Sequence, residues 1–196
     1  MEKMPRFAPL MAPVDWWRAF VRARLDGADP CGAADAANAG AGVRRRDWLR
    51  FPAGDARLSL PVAGGASALK NHPPDSWRLA AEAPREARKA DATIATLYGR
   101  TPYYHLIADS VALSPHAIPG SPASEICTAL FRTVENIIGT DSDALLNALR
   151  RRIDAGDPRL RAVGAETSAR APGAVSIIDL LMHLGPDAIF ALIPPF

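Results

Sequence analysis

WLRFPAGDARLSLPV, residues 48–62, decides the fold class of this 196-residue chain. Leu58, Leu60 and Val62 alternate with Arg57, Ser59 and Pro61, the two-residue period of a strand with one face buried. Trp48 to Phe51 form a second extended candidate, and the intervening Pro-Ala-Gly-Asp carries a glycine able to take a turn conformation. The pattern predicts a β-hairpin, with Pro61 marking an edge or a strand end. No comparable alternation follows. Downstream the apolar residues recur at helical spacing, so the chain reads as α+β: a short N-terminal β-hairpin followed by a mainly helical C-terminal part.

Working outward, VDWWRAFVRARLDG (14–27) places Val14, Trp17, Val21 and Leu25 on one helical face, and Asp26-Gly27 ends it. The stretch ADPCGAADAANAGAGV (28–43) has almost no large side chain and predicts a loop or a thinly packed segment. AGGASALKNHPPDSW (63–77) reads as a connecting loop. From Arg85, the residues Ala87, Ala90, Ile94, Leu97 and Tyr98 make a helical stripe ended by Gly99 and Pro102. Ser121-Pro122 reads as an N-cap and first helical residue before ASEICTALFRTVENIIG (123–139), whose apolar face is Ile126, Leu130, Val134 and Ile137. SDALLNALRRRID (142–154) ends in Arg150 to Arg152, cations placed at the negative end of a helix dipole. Near the C-terminus, Ser176 and Asp179 have the spacing of a capping box, and Gly185-Pro186 can close one helix and open the next.

Composition bounds the rest. A length of 196 residues suits one domain over 1–196. The 23 Lys+Arg against 21 Asp+Glu leave a charge of +2, which gives no argument for nucleic acid. Prolines 5, 9 and 13 interrupt the apolar N-terminus, and no run reaches the roughly 20 apolar residues of a membrane span, so the expectation is a cytoplasmic protein with no integral membrane segment. Cys31 and Cys127 lie far apart, and with His72, His105 and His116 they form no metal-ligand spacing. No phosphate loop, dinucleotide fingerprint or Gly-x-Ser-x-Gly occurs. The pattern therefore calls for no metal and no cofactor.

Five elements in order resemble the WbqC-like proteins encoded among bacterial polysaccharide and O-antigen genes: APLMAPVDWWRAF (8–20), VRRRDWL (43–49), LSLPV (58–62), the Tyr-x-x-Thr-Pro-aromatic-aromatic element of residues 98–104, and SIIDLL followed by Gly185-Pro186. The resemblance implies a role in surface-polysaccharide biosynthesis, with a transferase acting on an amino sugar or its carrier as one reading. It implies a nucleotide-sugar or lipid-linked sugar as partner. It also marks departures. The Glu, Tyr and Lys of the family pattern are absent from AADAANAGAG, Arg45 replaces an amide between two arginines, Ala90 stands near an expected histidine, and His183-Leu184 replaces Asn-Glu. A non-catalytic binding or scaffold protein with an eroded active site is the alternative.

The candidate site follows from the polar residues that remain. Arg44 and Arg46 share one side of an extended segment and could grip a phosphate or carboxylate with paired donors, or could equally be an exposed basic face. Asp179 could hold a proton or orient a reacting group, although its capping position already accounts for it. His183 lies one helical turn beyond, where an Asp-His pair could support acid-base work or simply reflect a surface position. Tyr98, with Trp77, Tyr103 and Tyr104, could floor a sugar ring or pack in the core.

Overall fold

The computed structural model describes residues 8–30, 32, 33, 36, 47–160, 162 and 176–193. Helix α1 (Val14–Asp26) is closed by Gly27 in the left-handed conformation, as the Asp-Gly stop requires. Strands β1 (Arg50–Ala53) and β2 (Ala56–Ser59) form an antiparallel pair in which Phe51 faces Leu58 and Ala53 faces Ala56. Then come α2 (Gly65–Asn71), a 3-10 turn (Pro74–Ser76), α3 (Ala83–Tyr98), α4 (Tyr104–Ile107), α5 (Ala123–Ile138) and α6 (Asp143–Asp154). Beyond them lie α7 (Ile177–Leu184), a 3-10 turn (Gly185–Asp187) and α8 (Ala188–Leu192). A two-stranded sheet followed by helices is the α+β arrangement expected from the sequence.

The hairpin is displaced toward its turn relative to expectation. Gly54, at φ 51, supplies the turn with Asp55 alone, so Pro52, Ala53, Ala56 and Arg57 pair instead of looping. Pro52 is tolerated because a two-stranded ribbon leaves each strand an unpaired edge. At the other end Leu60 N–H still donates to Leu49 O at 3.0 Å, but Val62 leaves the ribbon and bridges to Leu79. The alternation nevertheless holds: Leu60 and Val62 are buried, Leu58 is half-buried, and Arg57 and Ser59 are exposed.

Several local expectations are corrected. Residues 63–77 contain α2 and a 3-10 turn where a loop was expected, because Ala, Leu and Lys after Gly64-Gly65 are good helix formers. Leu97 is 41% exposed, leaving Ala83, Ala87, Ala90, Ile94 and Tyr98 as the buried stripe of α3. Ser121 does not cap α5; its hydroxyl donates to Ile118 O at 2.8 Å, and Pro122 occupies the cap position. Ile138 takes the buried place foreseen for Ile137, which is half-buried.

The core is centred on aromatic rings from α1 and α5. Trp17 stacks on Phe131 with centroids 5.1 Å apart, and Trp16 stacks on Phe20 at 5.6 Å. Edge-on contacts join the two stacks, each such pair contributing about 0.5–1.5 kcal/mol beyond area burial. This compensates for a core otherwise rich in alanine. The C-terminal end of α1 is tied to α6 and the turn before it: Arg24 Nη2 donates to Thr140 O at 2.8 Å, and Arg150 Nη2 donates to Arg24 O at 3.3 Å. Against the other end of the chain, Pro13 bridges to Ser176 and Ile177 N–H donates to Ala12 O at 3.1 Å, which seats α7 beside the opening segment.

Candidate functional site

The capping box read from Ser176 and Asp179 is present. Ser176 Oγ accepts from Ile178 N–H at 3.4 Å while Asp179 Oδ2 accepts from Ser176 N–H at 3.2 Å. Ser176 also reaches across the fold, its hydroxyl donating to Met11 O at 2.8 Å. One polar side chain thus caps the start of the helix and fixes it to the opening segment.

Asp179 has a second role that the local pattern does not reveal. Its Oδ1 accepts from the phenol of Tyr98, at the last turn of α3, and from the amide of Gly54 at 3.3 Å, in the hairpin turn. One carboxylate therefore joins three elements, the hairpin, α3 and α7. Tyr98 is only 3% exposed. Burial pushes its phenol pKa well above the ordinary value, and the adjacent Asp179 carboxylate, which accepts its hydrogen, pushes the same way. Tyr98 consequently remains a proton donor held on Asp179, and no free phenolate forms near neutral pH.

The 98–104 element docks on the same helix. Tyr103 N–H donates to Met182 O at 3.3 Å, and Thr101 N–H and Oγ1 both bond Tyr98 O, at 2.8 and 2.7 Å. Gly185, which closes α7 at φ 57, lies under the Tyr103 ring so closely that a Cβ would clash with it. Here glycine is required twice, for its backbone conformation and for the approach of the ring.

His183 joins this group from the solvent side. It is exposed, its ring stands edge-on to Tyr98 with centroids 6.1 Å apart, and Nδ1 lies 2.8 Å from Asp179 O. A carbonyl only accepts, so Nδ1 carries the hydrogen of the neutral ring and Nε2 keeps its lone pair. The contact is with the backbone of Asp179, not with its carboxylate. An Asp-His couple through the side chain is therefore not the geometry of this turn.

The structure brings together Tyr98, Asp179 and His183. Arg44 and Arg46, the expected anion grip, lie outside the described residues, as does Cys31. Of the proposed aromatic floor, Tyr98 and Tyr103 meet α7, Tyr104 stands edge-on to His105, and Trp77 is buried next to Trp48 at 6.3 Å. Cys127 is fully buried, and its thiol pKa is pushed up by burial, as expected for a packing residue. Among the described residues no group of three or more His, Cys, Asp or Glu is arranged to hold a metal ion. No helix among them is long and apolar enough to cross a membrane.

Two polar contacts, one in this group and one apart from it, were not foreseen. The Gly54 amide is a backbone donor whose role depends on where the hairpin docks. Asp91 on α3 accepts from Leu113 N–H at 2.8 Å and Ser114 N–H at 3.0 Å, holding the loop that leads toward α5. A lone carboxylate on a helix surface gives no local signal of such a partner.

Chemically, Asp179 receives three donors from its own scaffold. That arrangement commits the carboxylate to holding three elements of the fold together rather than leaving it free to face a substrate. No protein-family model, no curated protein and no solved structure matches the chain.

Proposed function

We propose that this chain is a WbqC-like protein of bacterial surface-polysaccharide biosynthesis, of the O-antigen type, and that it works as a binding or scaffold protein with an eroded active site. The observation that carries the second half of this reading is the engagement of Asp179 by three donors of its own scaffold, Tyr98, Gly54 and Ser176. The first half is supported by the order of the five resembling elements, three of which abut: the 8–20 segment meets the C-terminal SIIDLL-Gly-Pro segment at Ser176 and Ile177, and the 98–104 element meets it at Asp179 and Gly185. In this reading the protein is cytoplasmic, and its partner is a nucleotide-sugar or lipid-linked sugar whose phosphates are gripped by Arg44 and Arg46.

The transferase reading, acting on an amino sugar or its carrier, draws on one specific observation, the gathering of Tyr98, Asp179 and His183, with no partner for His183 Nε2 among the described residues. Calorimetric titration of nucleotide-sugars and polyprenyl-linked sugars into wild type and Arg46→Ala, followed by product analysis, separates the two. Binding without turnover that weakens in Arg46→Ala is expected. Turnover abolished by His183→Ala would establish the transferase instead, and equal binding by wild type and Arg46→Ala, or none by either, would remove the anion grip.

A further inference from the structure

A cavity of about 340 Å³ lies between α2 and the turn that follows it, away from Asp179, lined by Gly64, Ser67, His72, Ser76, Trp77 and Arg78 with two alanines. Its walls are tied together by the fold. Val62 bridges to Leu79, Ala63 N–H donates to Arg78 O at 2.8 Å, and Trp77 Nε1 donates to His72 O at 3.1 Å. The walls are thus held in place by the fold, and six of the eight lining residues are exposed, so the site is an open surface cleft.

Its hydrogen-bonding inventory is one-sided. Ser67 Oγ accepts from Asn71 Nδ2 at 3.2 Å, which leaves its own hydrogen to donate. Arg78 spends only Nη1, on the carbonyls of Asp75 and Trp77 at a long 3.4 Å each, and its Nε and Nη2 have no partner among the described residues. The His72 imidazole likewise has none there. Ser76 is the exception: its hydrogen goes to Pro73 O at 2.7 Å, so it offers lone pairs. No carboxylate lines the cavity.

We propose that this cavity binds a phosphate monoester of a hexose-sized polyol. The phosphate would take the donors of Arg78, Ser67 and His72, a planar guanidinium being suited to paired bonds with phosphate oxygens. A ligand hydroxyl would donate to Ser76 Oγ, and the carbon skeleton would lie against Ala63 and Ala68. The proposal is independent of the role assigned to Arg44, Arg46 and Asp179.

The test is calorimetric titration of the full chain with glucose 1-phosphate, inorganic phosphate and glucose. Wild type should bind glucose 1-phosphate saturably, inorganic phosphate more weakly and glucose not measurably. Arg78→Ala should bind glucose 1-phosphate roughly tenfold more weakly or worse, the order expected for loss of a charge-assisted pair. Its thermal midpoint should stay at the wild-type value. His72→Ala, at an exposed position, should weaken binding several-fold and serves if Arg78→Ala does not fold, while Arg151→Ala on α6 and Arg46→Ala should bind as wild type. Failure of wild type to bind either phosphate, or equal weakening by Arg78→Ala and Arg151→Ala, overturns the proposal.

Discussion

Replacing Tyr98 by Phe removes one oxygen from the junction between the hairpin, α3 and α7 while keeping the ring that fills the core. The lost interaction is a hydrogen bond from a buried phenol to a carboxylate. Bonds to charged acceptors contribute about 1.5–3 kcal/mol, and Tyr98→Phe should cost that much because it opens no cavity. Asp179→Ala removes the capping-box carboxylate, worth ~1 kcal/mol, and strands the Tyr98 hydroxyl in the core, adding about 1–3 kcal/mol. The double variant should cost less than the sum of the two, since no hydroxyl is then stranded; the expected coupling is roughly 1–3 kcal/mol. Urea unfolding at neutral pH measures all four corners of the cycle.

A pH dependence follows from the same bond. The folded-state pKa of Tyr98 is raised, so its contribution to stability is fully present below the unfolded phenol value of about 10 and is lost as pH rises above it toward the higher folded value. Between about pH 10 and 11 wild type should therefore lose about 1 kcal/mol relative to Tyr98→Phe, narrowing the gap between them. Additive single effects, or a Tyr98→Phe variant within about 0.5 kcal/mol of wild type, the scatter of ordinary surface changes, would refute the reasoning.

Two further outcomes test the packing around this junction. Gly185→Ala should destabilise by roughly 2–4 kcal/mol, combining an unfavourable backbone conformation with a clash against Tyr103, and Tyr103→Ala should relieve part of that loss in a double-mutant cycle read by thermal unfolding. In a Cys31→Ser background, Cys127 should resist a thiol-modifying reagent in the native protein and react fully after denaturation, because burial raises its pKa and excludes the reagent; prompt native reaction would contradict the packing of α5.

Much of the local architecture was legible because its causes are short-range. Gly27 and Gly139 end helices in the left-handed conformation, and Ser176 caps α7, each through residues within a turn of one another. The errors also have local causes. Leu97 fits the apolar stripe of α3 by spacing, yet it faces outward beside Gly54 of the hairpin turn. Ser121 has the right chemistry for a cap and instead bonds backward to Ile118, which moves the cap to Pro122.

The candidate site divides along the same line. Asp179 could be identified as a capping carboxylate from the four residues that begin at Ser176, since that bond closes within one helical turn. That the same carboxylate receives Tyr98 from 81 positions earlier and Gly54 from 125 positions earlier was decided only when the hairpin and α3 packed onto α7. Periodicity and caps are properties of neighbouring residues and survive in the sequence, whereas a hydrogen bond between distant elements depends on their docked orientation and leaves no spacing to read. His183 follows the same logic: its distance of four residues from Asp179 suggested a side-chain couple, and the tertiary placement of Tyr98 and Gly54 on that carboxylate left the imidazole to the backbone carbonyl.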